Sequence, residues 1–351
     1  MPEGPVATNH KRFIIIGENV HTTRIVRRPG PLVQPDERGR ESIAFTDASG
    51  RERFLPIPDE EKRTQEYEEG RVKHVRSAVR HAIGDGPDRQ TGVDYLHALA
   101  ARQVESGAAF LDVNVDEYSH RLPEQIEVMR WLAADLAPRV GVPLSIDSSN
   151  LDIIRSGMEA AGDHCGPPML NSASLERAEA LELAAEAGGA VIVTASGAAA
   201  MPDGTAERVT NASAMVERAL ALGIPMDLVY VDPLVFPISV DGTFGDHCLG
   251  AIRELRARFG PEVHITGGLS NVSFGIPQRR LINDVFLVLA IEAGADSGII
   301  DPIANDVDRA LSLDRDARPF QLALDVLSGA DRNCRAYMKA YRAGELETVS
   351  A

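Results

Sequence analysis

The stretch VHITGGLSNVSFGIPQRRLINDVFLVLAIEAGADSGIIDP runs from Val263 to Pro302. It begins as a short apolar run and passes through a turn holding Gly267, Gly268, Ser270, Asn271, Ser273 and Pro277. A strongly apolar helical stretch follows, broken at Gly294, and a second apolar run closes it. The order is strand, loop, helix, strand. Both apolar runs are nearly continuous rather than alternating, as expected of parallel strands covered on both faces. Pro277 is expected in the first turn of the helix, where a missing N–H is harmless. Gly294 fits the position just past the helix end, where a left-handed backbone suits glycine.

The same unit recurs along the chain. Apolar runs stand at RFIIIGEN from Arg12, AFLDVNVD from Ala109, PLSIDSS from Pro143 and PPMLNSAS from Pro167. Others are AVIVTAS from Ala190, LVYVDPLV from Leu228, VHITGGLSN from Val263 and DSGIIDP from Asp296. Between them lie stretches such as LPEQIEVMRWLAADLA and LERAEALELAAEAGG, with apolar residues three and four apart. Gly107, Gly162, Gly188, Gly223, Gly260 and Gly294 each separate such a helix from the next run. Eight strands alternating with helices predict an α/β fold of the TIM (β/α)8 barrel type, read as a single domain over 1–351. A doubly wound sheet is the alternative. It calls for a glycine-rich phosphate loop after the first strand, and GENVHTTR is not one.

Residues 27–90 interrupt the rhythm between the first strand and the helix TGVDYLHALAARQVESG. Within this insertion ESIAFTDASGRERFLP reads as a hairpin turning at Asp47–Gly50, and PDEEKRTQEYEEGRVKHVRSAVRHAIG as charged helix. In a barrel the insertion leaves the first strand on the active-site face, as a lid, a docking surface or an ornament.

Bulk properties exclude several classes. A net charge of −16 argues against nucleic acid and acidic membrane surfaces as partners. Cys165, Cys248 and Cys334 are far apart and form no CxxC pair, so neither a disulfide framework nor a structural zinc site is expected. No apolar run reaches the ~18 residues of a membrane helix. The amino terminus MPEGPVATNHKR has no leader-like apolar core, so a cytoplasmic protein is expected.

Catalytic groups of a barrel come from the C-terminal ends of its strands. Those positions hold Glu18, Asn19 and His21, then Asp112, Asn114 and Asp116, then Asp147, Asn171, Thr194, Ser196, Asp232, Asn271 and Asp301. One such residue would be read as a helix cap, and Asp147-Ser148-Ser149-Asn150 before LDIIRSG fits a cap well. A ring of Asp and Asn asks for more. It suits a neutral heterocycle whose paired N–H groups face a carboxylate and whose ring nitrogen and carbonyl face an amide. Asp147, Asn171 and Asp232 supply those groups. A divalent cation is the competing ligand. It is the weaker reading, because His21 is the only histidine at a strand end and His120, His164 and His247 lack ligand spacing. No metal is expected.

TGGLSNVSFGIPQRRLIN, LSIDSSN, MLNSAS, VYVDPLV and FLDVNVD resemble the pterin-binding methyltransferase family. This family includes methyltetrahydrofolate:corrinoid methyltransferases and the folate domain of cobalamin-dependent methionine synthase. The resemblance covers residues 12–26 and 91–330. It implies that Asp147, Asn171 and Asp232 bind the pterin and that Asn271 reaches N5, the atom bearing the methyl group. Asp112 and Asn114 match a family stretch deep in the barrel, and Arg279 matches an arginine after the motif. Gly267 and Gly268 let backbone approach the ring, with Ser270 and Ser273 in support.

The resemblance therefore implies methyl transfer between N5 of (methyl)tetrahydrofolate and the cobalt of a corrinoid, with Asn271 and Asp232 as the catalytic pair. The chain has no DxHxxG corrinoid motif, since GDHCLG at Gly245–Gly250 has the wrong spacing. The cobalamin-type cofactor is thus expected on a separate corrinoid protein, in a multi-component methyltransferase or demethylation system. Relatives are homodimers, and the helix LINDVFLVLAIEAG is expected in the core rather than at an interface. Two departures stand out: NVD at 114–116, where relatives usually have NVG, and the 27–90 insertion. A dihydropteroate synthase-like enzyme is an alternative, weakened because GGLSN lacks the lysine synthases use there. A non-catalytic pterin-binding module is the other.

Overall fold

The computed structural model describes residues 13–346. The amino-terminal stretch read above for a leader, and the last residues of the tail, lie outside that range. The eight expected runs form one parallel sheet. Its strands are β1 (Ile14–His21), β2 (Ala108–Asn114), β3 (Leu144–Asp147), β4 (Met169–Ala173), β5 (Val191–Thr194), β6 (Val229–Asp232), β7 (His264–Ile265) and β8 (Ser297–Ile300). They are ordered β7-β6-β5-β4-β3-β2-β1-β8. The edges meet: Gly268 bridges Ile299, and the Ile299 N–H donates to the Gly267 carbonyl at 2.9 Å. The sheet is thereby closed into the TIM barrel. All six glycines expected past helix ends have positive φ, between 57° and 115°.

Register sets the active-site layer. His21 lies beside Asn114, Asn114 beside Asp147, and Asp147 beside Asn171. Paired residues of parallel strands point to the same face, so these four share one level. Below them an apolar plug of Ile16, Met169, Ile192, Tyr230 and Ile299 fills the lower barrel. The larger core lies between the strands and the surrounding helices. It includes helix Arg279–Ala293, whose Leu281, Ile282, Val285, Phe286 and Val288 are buried against the barrel as expected.

Two local expectations are corrected. Helix Arg279–Ala293 starts after Pro277, because Gln278 takes a left-handed φ of 53°. The Pro277 carbonyl instead accepts from Tyr337 Oη at 3.1 Å. The charged stretch of the insertion is divided into helices Asp59–Lys62 and Gln65–Glu68, strand Arg71–Lys73 and helix His74–Ile83. Arg71–Lys73 pairs antiparallel with Ile25–Arg27. Gly70 turns the chain into that pairing at φ 78°, where a β-carbon would lie 2.4 Å from the Arg28 carbonyl oxygen.

Elsewhere in the insertion, Glu41–Thr46 and Glu52–Pro56 form a hairpin around Asp47–Gly50, and Val33–Pro35 adds a third strand. Glu61, fully buried, accepts from Arg76 Nε and Nη2, both at 2.9 Å. Arg76 Nη1 reaches the Glu117 carbonyl at 3.4 Å, and Lys73 Nζ the carboxylates of Glu66 and Glu117 at 2.6 Å. Glu117 belongs to the loop leaving β2, so these contacts fasten the insertion to the C-terminal face.

Candidate active site

Asp112 is the deepest polar group of the mouth, with no solvent exposure. Its Oδ1 accepts from Asn171 Nδ2 at 3.1 Å and from the Ser145 hydroxyl, and its Oδ2 meets His21 Nε2 at 2.7 Å. One step up, Asn114 Nδ2 donates to Asp147 Oδ2 at 2.8 Å. Burial, then the neighbouring Asp112 charge, pushes the Asp147 carboxyl up to about 7. Asp112–Asn171 and Asn114–Asp147 thus form two hydrogen-bonded pairs that span β2 to β4.

Asp147 does not cap a helix. Asn150 does so, its Oδ1 accepting from the N–H groups of Asp152 and Ile153 at 2.9 and 3.4 Å, ahead of helix Leu151–Ala161. Asp116, the departure from the family pattern, accepts from the Ser148 hydroxyl and from the Ser149 N–H at 2.9 Å. It ties down the loop that presents Asp147.

Across the mouth, Asp232 Oδ1 accepts from the Leu234 N–H at 2.7 Å. Leu234 is held at a left-handed φ of 67°, a strained conformation for leucine. Burial raises the Asp232 carboxyl to about 6, opposed by its Leu234 hydrogen bond and by the charge of the buried Arg208 guanidinium. Gly267 passes so close that a β-carbon there would sit 3.0 Å from Asp232 Oδ1. A β-carbon at Gly268 would sit 2.9 Å from Asn271 Nδ2. The two glycines therefore draw the seventh strand end against both residues.

Asn271 lies in a single 3-10 turn, Leu269–Ser273, with its side chain exposed. Its amide makes no hydrogen bond to another side chain among the described residues. The turn is braced by Arg279, which donates from Nε to the Ser273 hydroxyl at 2.9 Å and from Nη2 to the Ser270 carbonyl at 3.0 Å. The guanidinium also lies 4.3 Å from the centre of the Phe274 ring. Arg279 is thus a buttress of the Asn271 turn.

The end of β1 contributes more than its strand-end residues suggested. Asn19 Nδ2 donates to Asp301 Oδ1 at 2.7 Å, fixing the loop after β8. Burial raises the Glu18 carboxyl, against the pull of Arg24, whose Nη2 is 2.8 Å away. His21 joins Asp112 and Asp147 in a cluster whose nearest N and O atoms all lie within 4.8 Å of one another. Three such donors are of the kind that holds a divalent ion, but His21 and Asp112 are bonded to each other and Asp147 is bonded to Asn114. In the sequence the only signal for His21 was a histidine directly at a strand end.

A barrel whose mouth presents buried carboxylates and carboxamides from successive strands is the form of the pterin-binding enzymes. The chain belongs to that family: residues 88–301 match its model, described as pterin binding enzyme. Among curated relatives, a methylcorrinoid:tetrahydrofolate methyltransferase of Eubacterium limosum is 29% identical over 263 residues, covering 73% of this chain and 90% of that protein. Methionine synthase of Mycobacterium leprae is 30% identical over 224 residues, covering 59% of this chain but only 18% of that protein. The barrel is also similar to solved dihydropteroate synthases. That of Yersinia pestis in a sulfonamide complex gives a TM-score of 0.51 at 18% identity, covering 86% of this chain and 93% of that one. That of Xanthomonas albilineans with 4-aminobenzoic acid gives 0.51 at 22% identity, covering 64% and 86%. At such identities the likeness is one of fold. No helix of the described residues is long and apolar enough to cross a membrane.

Proposed function

We propose that the chain transfers a methyl group between N5 of tetrahydrofolate and the cobalt of a corrinoid, which enters as a second substrate on a separate protein. The observation that carries this reading is the Asn271 amide, exposed and without a side-chain partner among the described residues, packed against Gly268 just after Gly267 passes Asp232. The similarity to a methylcorrinoid:tetrahydrofolate methyltransferase supports it.

Asp147, Asn171 and Asp232 hold the pyrimidine edge of the pterin, with Asp112 and Asn114 fixing their orientation. The methyl carbon leaves N5 for the metal-centred electron pair of the corrinoid, and the C–N bonding pair stays on N5. Asn271 donates a hydrogen bond that strengthens as this charge develops, which lowers the barrier more than it improves binding. Asp232, raised to about 6, stands where it can position a proton for N5. In the reverse direction the same donors release N5 as a nucleophile.

A synthase reading lacks its cation. The sequence has four lysines, Lys11, Lys62, Lys73 and Lys339, and among the described residues none stands at the C-terminal end of a barrel strand. Lys73 is already paired with Glu66 and Glu117. Substituting Asn271→Ala separates an enzyme from a binding module. We expect methyl transfer to fall roughly 10²-fold while tetrahydrofolate affinity changes only a few-fold. Equal losses in rate and affinity would contradict the assigned role.

A further inference from the structure

We propose that His21 is a positioning residue for the pterin: as an imidazolium bonded to Asp112, it allows Asp147 to face the heterocycle as a carboxylate above the buried Asp112 carboxylate. This deepens the pterin reading above and rests on it.

The geometry is specific. His21 Nε2 is 2.7 Å from Asp112 Oδ2, with the imidazole 16% exposed and the Asp112 side chain 1%. Asp147 lies within the same cluster, a half-buried carboxylate close to the fully buried Asp112. Two such carboxylates repel, and one takes a proton unless a cation stands between them. A protonated Asp147 would present a hydroxyl where the pterin needs an acceptor for its paired N–H groups.

The other charges facing His21 do not supply that cation. Glu18 on β1 is paired with Arg24, whose Nη2 is 2.8 Å from it. Asp116, beyond β2, is engaged with Ser148 and Ser149. Asp301 after β8 is engaged with Asn19. In the insertion, burial lowers His74 to about 4, and its Nδ1 is bonded to Tyr95 Oη at 2.8 Å, so it stays neutral. Burial alone would strip the proton from His21. The hydrogen bond to Asp112 and the charges of Asp112, Asp147 and Glu18 outweigh it and raise the imidazole above its ordinary 6.5.

The test is the affinity for tetrahydrofolate by calorimetry from about pH 6 to 9, in the unsubstituted protein and in His21→Asn, which keeps a donor for Asp112 without the charge. We expect the variant to bind roughly tenfold more weakly near neutrality. The deficit should vanish at the alkaline end, where the imidazole has lost its proton in the parent as well. A deficit of equal size at every pH would mark a structural role and overturn the inference, as would no deficit. Absence of tetrahydrofolate binding by the unsubstituted protein at every pH would overturn the pterin reading and this inference with it. If His21→Asn does not fold, the histidine resonances of the unsubstituted protein decide the matter. The resonance displaced by tetrahydrofolate must titrate above 6.5, and one at or below that value overturns the proposal.

Discussion

Gly267 runs against Asp232 so closely that a β-carbon on the glycine would lie 3.0 Å from the carboxylate Oδ1 and 3.3 Å from Val235 Cγ2. Glycine is needed here for proximity. It lets the seventh strand end press on the sixth. Gly267→Ala is expected to destabilise the fold by about 1–3 kcal/mol through overpacking and to weaken folate binding more than tenfold by displacing Asp232. Chemical denaturation and calorimetry on the same preparation check both. Unaltered folate affinity would contradict the close-packed mouth.

The Asp147 and Asp232 carboxylates are held at the expense of stability. Asp147 and Asp232 stand at about 7 and about 6 in the folded chain, against an ordinary 3.8. Between these values the folded chain binds more protons than the unfolded one, so each carboxylate withdraws stability as pH rises from about 4 to neutrality and no further above it. Asp147→Asn is therefore expected to stabilise the ligand-free protein by an amount on the order of 1 kcal/mol at pH 8 and by less at pH 5, while folate binding is lost. Thermal unfolding at the two pH values measures the difference. A destabilised variant at pH 8 would show that Asp147 is a structural acceptor instead.

The insertion depends on a buried ion pair. Glu61 is fully buried and receives two hydrogen bonds from Arg76. Removing one partner leaves the other charged and unpaired, so Arg76→Ala is expected to cost about 3–5 kcal/mol. The double change Glu61→Leu with Arg76→Met should recover much of that loss. Since Arg76 also reaches the loop after β2, Arg76→Ala should weaken folate binding as well, although it touches no pterin group. Thermal unfolding of the three variants, with folate calorimetry on those that fold, tests this.

What the sequence made legible was local. Eight apolar runs and six glycines at helix ends carry their meaning within a few residues, and they became strands and left-handed termini. The shared level of Asn114, Asp147 and Asn171 was legible because strand ends project from one rim whatever the loops do. The rest depends on distant partners. Asp116 looked like an extra site carboxylate because the Ser148 and Ser149 groups it binds stand on the next strand end. The charged stretch 58–84 was read as helix because its strand Arg71–Lys73 exists only by pairing with Ile25–Arg27. His21 finds its hydrogen-bond partner in Asp112, 91 residues away. Arg279 was legible only as a match to an arginine after the motif, and its hydrogen bonds to Ser270 and Ser273 follow from a turn whose shape no residue spacing encodes.

The most direct test of the central claim is to titrate the protein with 5-methyltetrahydrofolate in a calorimeter, add cob(I)alamin to the complex, and follow the cobalamin spectrum. The account predicts saturable folate binding followed by conversion of the cob(I)alamin spectrum to that of methylcobalamin, lost in Asn271→Ala while folate binding persists. No binding of 5-methyltetrahydrofolate would contradict it and return the Asp112, Asp147 and His21 cluster to consideration as a cation site.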